Sequence, residues 1–371
     1  VTIYFLAGEA SGDTHGASLI RAIGELRGDV KFVGRGGPKM AEIAGAPLHN
    51  WIHEAAVVGL WEVVRRYGYF REQFAGALRE IEAAEPDAVV LIDYPGFNLR
   101  LARALRKRGT KAKIIYYISP QVWAWNRRRI PHMARSLDLM LCIFPFEAEI
   151  YNASGLRTIF VGHPMNETLG SRRINAAREP DLVGLLPGSR MREVRLILPM
   201  MIAAAEAMLP TNPQLRFEIA AASPPVSAEI NAMLKEPARF TVTTGEAASL
   251  MQRANVGIVA SGSATLEAAF FRLPFVLVYR VAWLTYFAAR TVVKVKHLGM
   301  PNVLAGREIV PEFIQHQARP NAIAAAALRL MNDEHAREAM LRNFDAVMAQ
   351  LAEADASRTA AKAVLQEIGA A

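Results

Sequence analysis

Short β-rich runs alternate with helical stretches along most of this chain, and that alternation limits its fold more than any other feature. In the first half the runs are Thr2 to Ala7, Lys31 to Gly34, Ala88 to Asp93, Lys113 to Ile118, Leu139 to Ile143 and Thr158 to Gly162. Strands that recur with a helix between them lie parallel, because a parallel neighbour needs a crossover connection; a sheet flanked by helices is predicted. Leu182 to Leu186, Leu215 to Ala220, Phe240 to Thr243, Val256 to Ala260 and Phe275 to Tyr279 repeat the pattern in the second half. Two doubly wound domains follow. A length of 371 residues agrees, since one hydrophobic core seldom organises so long a chain.

Between the two halves, the segment from about His163 to Asp181 is polar and basic, carries Arg172, Arg173 and Arg178, and has Pro164 and Pro180 near its ends. It reads as a linker. After Pro320 the chain turns Ala-rich, with Ile323, Leu330, Met340, Phe344, Val347 and Leu351 among the apolar positions of terminal helices that pack on the sheets. Hydrophobic residues at 52% against 21% charged exclude wholesale disorder. The single cysteine, Cys142, excludes a disulfide scaffold and a multi-cysteine zinc site and favours the cytoplasm. A net charge of +8 attracts anions, whether nucleic acid, phosphorylated metabolites or an acidic membrane surface, without choosing among them. The longest apolar runs are broken by Glu206 and Arg290, so no bilayer-spanning helix is expected.

The first strand ends in LAGEASGDTHG, which puts Gly8, Gly12 and Gly16 in a strand-to-helix turn. Small residues there let backbone N–H groups approach an anionic or hydroxyl-rich ligand, or simply allow tight packing. The spacing is not that of a dinucleotide fingerprint. His15 in the same turn reaches a ligand or caps local structure. VVLIDYPGFN delivers Asp93 to the carboxyl edge of the sheet, where open α/β sheets bind ligands. A half-buried carboxylate there, its proton affinity raised by desolvation, suits a general base for a hydroxyl nucleophile; the alternative is a cap on the next helix.

LVGLLPGSRMREV joins strand, glycine turn and helix start, so Gly188, Ser189 and Arg190 sit at a positive helix terminus suited to phosphate. The Walker-A lysine is missing, which disfavours ATP hydrolysis. In VGIVASGSATLEAAFF, Ser261, Gly262, Ser263 and Thr265 open a helix that carries Glu267, an arrangement for a diphosphate and ribose hydroxyls or for an ordinary cap. PNVLAGREIVPEF, with Asn302, Gly306, Arg307 and Glu308, reads as a loop leading to a helix. In ISPQVWAWNRRR, Trp123, Trp125 and Arg127 to Arg129 suit single-stranded nucleic acid, a lipid headgroup or plain packing; the patch is too short to argue nucleic acid, and packing beside a solvated basic turn is expected. Val57, Leu60, Trp61, Val64, Tyr67 and Phe70 fall at helical spacing beside Arg65, Arg66 and Arg71, as in a core helix with a charged rim or one resting in a lipid interface. No HExxH and no carboxylate cluster with metal spacing occurs, so neither a metal nor a cofactor is expected.

Taken in order, AGEASGD, IDYPGFN, SPQVWAW, FPFE, LLPGSR, ASGSATLE, LPFVLVYR and PNVLAGRE resemble the lipid A disaccharide synthase family across nearly the whole length. The resemblance implies a GT-B glycosyltransferase: two Rossmann-like domains facing a cleft, over residues 1–165 and 181–344, with a C-terminal helix, 345–371, crossing back to the first. It also implies inverting transfer from UDP-2,3-diacylglucosamine to 2,3-diacylglucosamine 1-phosphate, at the cytoplasmic face of the inner membrane in a Gram-negative cell, with no nucleic acid partner. By the same resemblance Asp93 is the base for the acceptor 6-hydroxyl and Arg190 neutralises the departing diphosphate. Ser261, Gly262, Ala264, Thr265, Glu267 and Asn302 match the nucleotide stretch, with Gly188 and Ser189 beside Arg190; Gly8, Glu9, Ser11 and Gly12 match the turn facing sugar or acceptor. Leu60, Trp61, Val64 and Tyr67 become a membrane-facing set, because both substrates carry acyl chains. Some relatives have IDAPDFN where this chain has Tyr94 and Gly96, so Asp93 would act without a second acid. Relatives can exchange C-terminal segments in a homodimer, and nothing in these residues demands it. A UDP-sugar epimerase of the same fold and a non-catalytic nucleotide-sugar-binding membrane adaptor are the alternatives.

Overall fold

A computed structural model of the protein describes residues 1–45, 48–52, 67–281, 296–351 and 355–370. The chain divides into two compact units, Val1–Pro164 with Leu351–Ala371, and Met165–Gln350. No helix among the described residues is long and apolar enough to cross a membrane.

The first unit is built on β1 (Thr2–Ala7), β2 (Lys31–Gly36), β3 (His49–Asn50), β4 (Ala88–Ile92), β5 (Lys113–Tyr117), β6 (Leu139–Cys142) and β7 (Thr158–Phe160). The strands run parallel in the order β3-β2-β1-β4-β5-β6-β7. β4 reads AVVLI with every residue buried, the composition of a strand covered on both faces. Helix Ala10–Leu26 covers one face through Ala17, Leu19, Ile20 and Ile23. Beside it lies the last helix, Ala356–Glu367, whose Ala360, Ala361, Val364 and Leu365 enter the same core. Glu367 pairs with Arg157 and with Lys113 at 3.3 Å, and Arg27 Nη1 donates to the Ala370 carbonyl at 2.7 Å.

The second unit has β8 (Glu179–Leu186), β9 (Arg216–Ala221), β10 (Phe240–Thr244), β11 (Ala254–Ala260), β12 (Phe275–Tyr279) and β13 (Glu312–Ile314), parallel in the order β10-β9-β8-β11-β12-β13. Helices Met191–Met208 and Pro320–Asn332 pack on each other over this sheet, and helix Glu334–Leu351 sends Phe344 against Phe275, ring centroids 5.6 Å apart.

Two expectations change. The segment read as a polar linker is partly structural: Met165–Gly170 is helical, β8 starts at Glu179, and Arg178 is sunk into the second unit. Its guanidinium donates to the carbonyls of Met251, Ala254, Phe271 and Arg272 at 2.5–3.0 Å, and burial lowers its pKa to about 10. A fork of five N–H donors satisfies helix-end carbonyls that water would otherwise have to reach. The segment read as a loop, PNVLAGREIVPEF, holds helix Met300–Ala305 and edge strand β13.

In each sheet the strand order reverses direction between two central strands, β1 and β4 in the first unit and β8 and β11 in the second. Helices leave such a pair on opposite sides, which opens a crevice at the carboxyl ends. The glycine turns and Asp93 follow those four strands.

Candidate active site

In the first unit, β4 ends at Ile92 and the backbone then takes two left-handed steps, Asp93 at φ 45° and Tyr94 at φ 50°. Non-glycine residues seldom adopt this conformation, and here the neighbours enforce it. Asp93 N–H donates to the Tyr117 carbonyl at 2.9 Å, while the Asp93 carbonyl accepts from Tyr116 Oη at 2.5 Å and Asn98 Nδ2 at 2.7 Å. With its main chain held by β5 and by the helix Pro95–Lys107, the carboxyl group is presented at the sheet edge. Burial, reinforced by the charge of Glu9, raises its pKa from 3.8 to about 6, against a hydrogen bond from the Tyr94 N–H.

Of the residues read into the turn after β1, Gly8 lies there, whereas Gly12, His15 and Gly16 fall inside helix Ala10–Leu26. A Cβ on Gly8 would lie 2.4 Å from the Tyr94 ring, and one on Gly12 3.3 Å from Ala7 Cβ, so both permit close packing. Glu9 and Ser11 are exposed. Asp13, in the same AGEASGD segment, is buried and accepts from the N–H groups of Gly37, Lys39 and Met40 at 2.9–3.1 Å, which caps helix Pro38–Ala44. His15 is held near pKa 4 by burial and then by the Lys39 charge, and is neutral at physiological pH.

One strand over, a carboxylate that sequence reasoning missed organises the SPQVWAW turn. Glu147 is fully buried at the start of helix Pro145–Asn152; its oxygens accept from Ser119 Oγ at 2.5 Å and Trp123 Nε1 at 2.8 Å. Tyr151 from the same helix donates to the Pro120 carbonyl at 2.5 Å. Burial pushes Glu147 up to about 7 although both side-chain hydrogen bonds favour its anion. An acidic residue in the first turn of a helix is ordinary, so nothing in FPFE marked it. Trp123 is therefore a packing residue, while Trp125 is 40% exposed with the Arg129 guanidinium 4.8 Å from its ring centroid.

In the second unit, β8 runs into Pro187 and Gly188. The φ of 103° at Gly188 requires glycine, and the turn brings Ser189 and Arg190 to the start of helix Met191–Met208. Ser189 and Arg190 are exposed; Arg190 Nη1 lies 3.2 Å from Glu193 Oε1, and both charges reach the Tyr279 hydroxyl at the end of β12. After β11, Gly262 at φ 146° breaks the chain into helix Ser263–Phe270. Thr265 is buried and its hydroxyl donates to the Gly262 carbonyl at 2.8 Å. Ser261 and Ala264 are half-buried beside it. Glu267 is largely buried; burial raises its pKa, opposed by a hydrogen bond from Ser263 and by the charge of Arg172. The N–H groups that open this helix and the carboxyl one turn further are thus fixed relative to one another.

Asn302 differs from the rest. Its side chain is fully buried, donates to the Val310 carbonyl and Glu312 Oε1 at 2.8 Å each, and accepts from the N–H groups of Ile309 and Val310 at 2.7 and 2.9 Å. An amide with two donors and two acceptor sites is then complete. Asn302 fixes the turn between helix Met300–Ala305 and β13. Replacing it by Ala leaves several buried groups unpaired, so Asn302→Ala is expected to lower unfolding free energy by about 2–4 kcal/mol, measured by urea denaturation. A stability change within 0.5 kcal/mol, taken here as the neutral range for surface substitutions, accompanied by lost UDP affinity would instead make it a direct ligand. Leu60, Trp61 and Val64 lie outside the described residues, as does the side chain of Tyr67.

Two parallel-sheet units in one chain, each with its glycine turns at a strand-order reversal, define the GT-B fold. The structure is similar to that of the glycotransferase of kitacinnamycin, with a TM-score of 0.62 and 15% identity over 99% of this chain and 98% of that one. It is also similar to a UDP-GlcNAc 2-epimerase from Neisseria meningitidis solved with UDP-GlcNAc bound, with a TM-score of 0.61 and 12% identity over 98% of this chain and 99% of the other. Residues 3–366 match the family described as lipid-A-disaccharide synthetase, and a lipid-A-disaccharide synthase of Azotobacter vinelandii is 39% identical over 376 residues, 98% of this chain and 97% of that protein. The chain belongs to the lipid-A-disaccharide synthetase family.

Proposed function

We propose that the protein transfers 2,3-diacylglucosamine from UDP to the 6-hydroxyl of 2,3-diacylglucosamine 1-phosphate, giving a β-1′,6-linked disaccharide 1-phosphate and UDP. The observation that carries this reading is the Asp93 carboxyl, fixed at a sheet edge with its pKa raised to about 6. A base of that strength is mostly ionised at neutral pH and still takes a proton readily. An α-linked donor giving a β product requires one in-line displacement: the acceptor oxygen bonds to C1, its proton passes to Asp93, and the C1–O bond breaks toward the diphosphate. Charge builds on the leaving group. Arg190 and the helix N-termini after Gly188 and Gly262 supply donors for it, with Glu267 accepting from ribose hydroxyls. Gly8, Glu9, Ser11 and Gly12 form the acceptor side.

Kinetics across pH test the base. The expected profile of kcat/KM falls tenfold per pH unit below about 6 and is level above it, because only ionised Asp93 accepts the proton. A level profile between pH 5 and 7 would oppose the assignment. Incubation with the donor alone separates the epimerase reading, which requires sugar conversion without acceptor; none is expected.

Both substrates hold acyl chains in a membrane, and the net charge of +8 favours an anionic surface. Leu60, Trp61, Val64 and Tyr67, flanked by Arg65, Arg66 and Arg71, are the residues we assign to that surface, which places the enzyme peripherally on the inner face of the inner membrane.

A further inference from the structure

Tyr94 occupies a position that a smaller residue would fill at lower cost. Its backbone sits at φ 50°, ψ 54°, directly after the left-handed Asp93, a pairing that glycine or asparagine tolerates far better than an aromatic residue. Its carbonyl is committed to the N–H groups of Phe97 and Asn98 at 3.2 and 3.1 Å, so the strain cannot relax by rotation of that peptide. The ring fills the space where a Gly8 side chain would begin. On another side it meets Trp51 edge to face, centroids 6.0 Å apart at 89°, and lies 6.2 Å from Phe97. Trp51 is itself fully buried, with Nε1 donating to the Ala7 carbonyl at 2.7 Å. Three segments thus converge to hold one half-buried ring, next in the chain to Asp93 and within reach of the Glu9 charge. Burial and the Glu9 charge push the Tyr94 hydroxyl up to about 12, so it stays a donor under working conditions.

Strain maintained by surrounding structure at a sheet edge points to a function for the side chain that requires it. A pyranose carries one face of C–H bonds, weakly positive, which pairs with the negative face of an aromatic ring as the edge of another ring does. We infer that Tyr94 is a positioning residue of the acceptor subsite, its held ring stacking on the C–H face of the acceptor sugar so that the reacting hydroxyl meets Asp93. The inference rests on the reading of the first unit as the acceptor side.

The test is steady-state kinetics of Tyr94→Phe and Tyr94→Leu with a short-chain acylated glucosamine 1-phosphate as acceptor, the donor varied separately. Tyr94→Leu is expected to raise acceptor KM at least tenfold with donor KM within twofold; Tyr94→Phe, which keeps the ring, is expected to restore acceptor KM to within threefold. A merely structural ring would lower melting temperature and affect both substrates alike. Acceptor KM within twofold for a folded Tyr94→Leu overturns the inference, as does Tyr94→Phe failing as badly as Tyr94→Leu. If Tyr94→Leu does not fold, the unsubstituted protein carrying 3-fluorotyrosine gives the answer. Its Tyr94 fluorine resonance, assigned by its loss in Tyr94→Phe, must shift with acceptor and not with UDP, and no shift overturns the proposal. Should Asp93→Asn keep its turnover while Tyr94→Leu still raises acceptor KM, the base assignment fails and the stacking role stands.

Discussion

Asp93→Asn is expected to lower turnover by about 10²- to 10⁴-fold, the range of a lost general base, with UDP affinity unchanged. The same variant is expected to be more stable than the parent above pH 6. The sign follows from the direction of the shift: burial and the Glu9 charge raise the folded-state pKa from 3.8 to about 6, so the fold disfavours the ionised form. Below pH 4 the carboxyl is protonated in both folded and unfolded chains and the penalty is absent. It grows as pH rises from 4 and is full above 6, reaching about 1–3 kcal/mol once partial exposure is allowed for. Asparagine removes the charge, keeps the size and suits φ 45° better than most residues. Thermal melts at pH 3.5 and pH 8 beside turnover assays check both halves: the stability gain must appear only at pH 8. Near-normal turnover refutes the base assignment. Unchanged UDP binding without turnover also argues against an adaptor, which has no reaction to lose.

Arg190→Ala is expected to reduce kcat by about 10²- to 10³-fold and to weaken UDP binding by a smaller factor, because the diphosphate gains charge as the sugar departs. Arg190 is exposed, and its contact with Glu193 belongs to a class of pairs that contribute about 0–1 kcal/mol, so little is given up when a diphosphate replaces that partner. Lysine keeps the charge and loses the planar fork, so Arg190→Lys is expected to recover binding more than kcat. Single-turnover kinetics with saturating donor separate the two. Equal losses in kcat and in donor affinity would reduce Arg190 to a tether for the ground state.

The strands at the two reversals were readable because they are buried on both faces: IYFLA, AVVLI, LVGLL and VGIVA stand out as apolar runs with glycine or an acid within the next two residues. β3 and β13 were missed since edge strands of two and three residues carry no period to detect. Arg178 looked like solvated linker charge because composition cannot show four carbonyls converging on one guanidinium. Asn302 and Asp13 stand in polar motifs for a related reason: their side chains complete backbone turns, and a motif does not separate residues that build a site from residues that touch its ligand. Gly8 was legible as a small residue at a turn. What it makes room for, the Tyr94 ring, is set by a left-handed step after β4 that no local motif marks.

The helix Ala356–Glu367 completes the core of the unit that begins at Val1, although the whole of Met165–Gln350 is synthesised between them. During translation the later-made unit can therefore close first, while the earlier one waits with Leu19, Ile20 and Ile23 uncovered. Proteolytic loss of residues 355–370 would for this reason strike the unit that carries Asp93, and spare the one that carries Arg190.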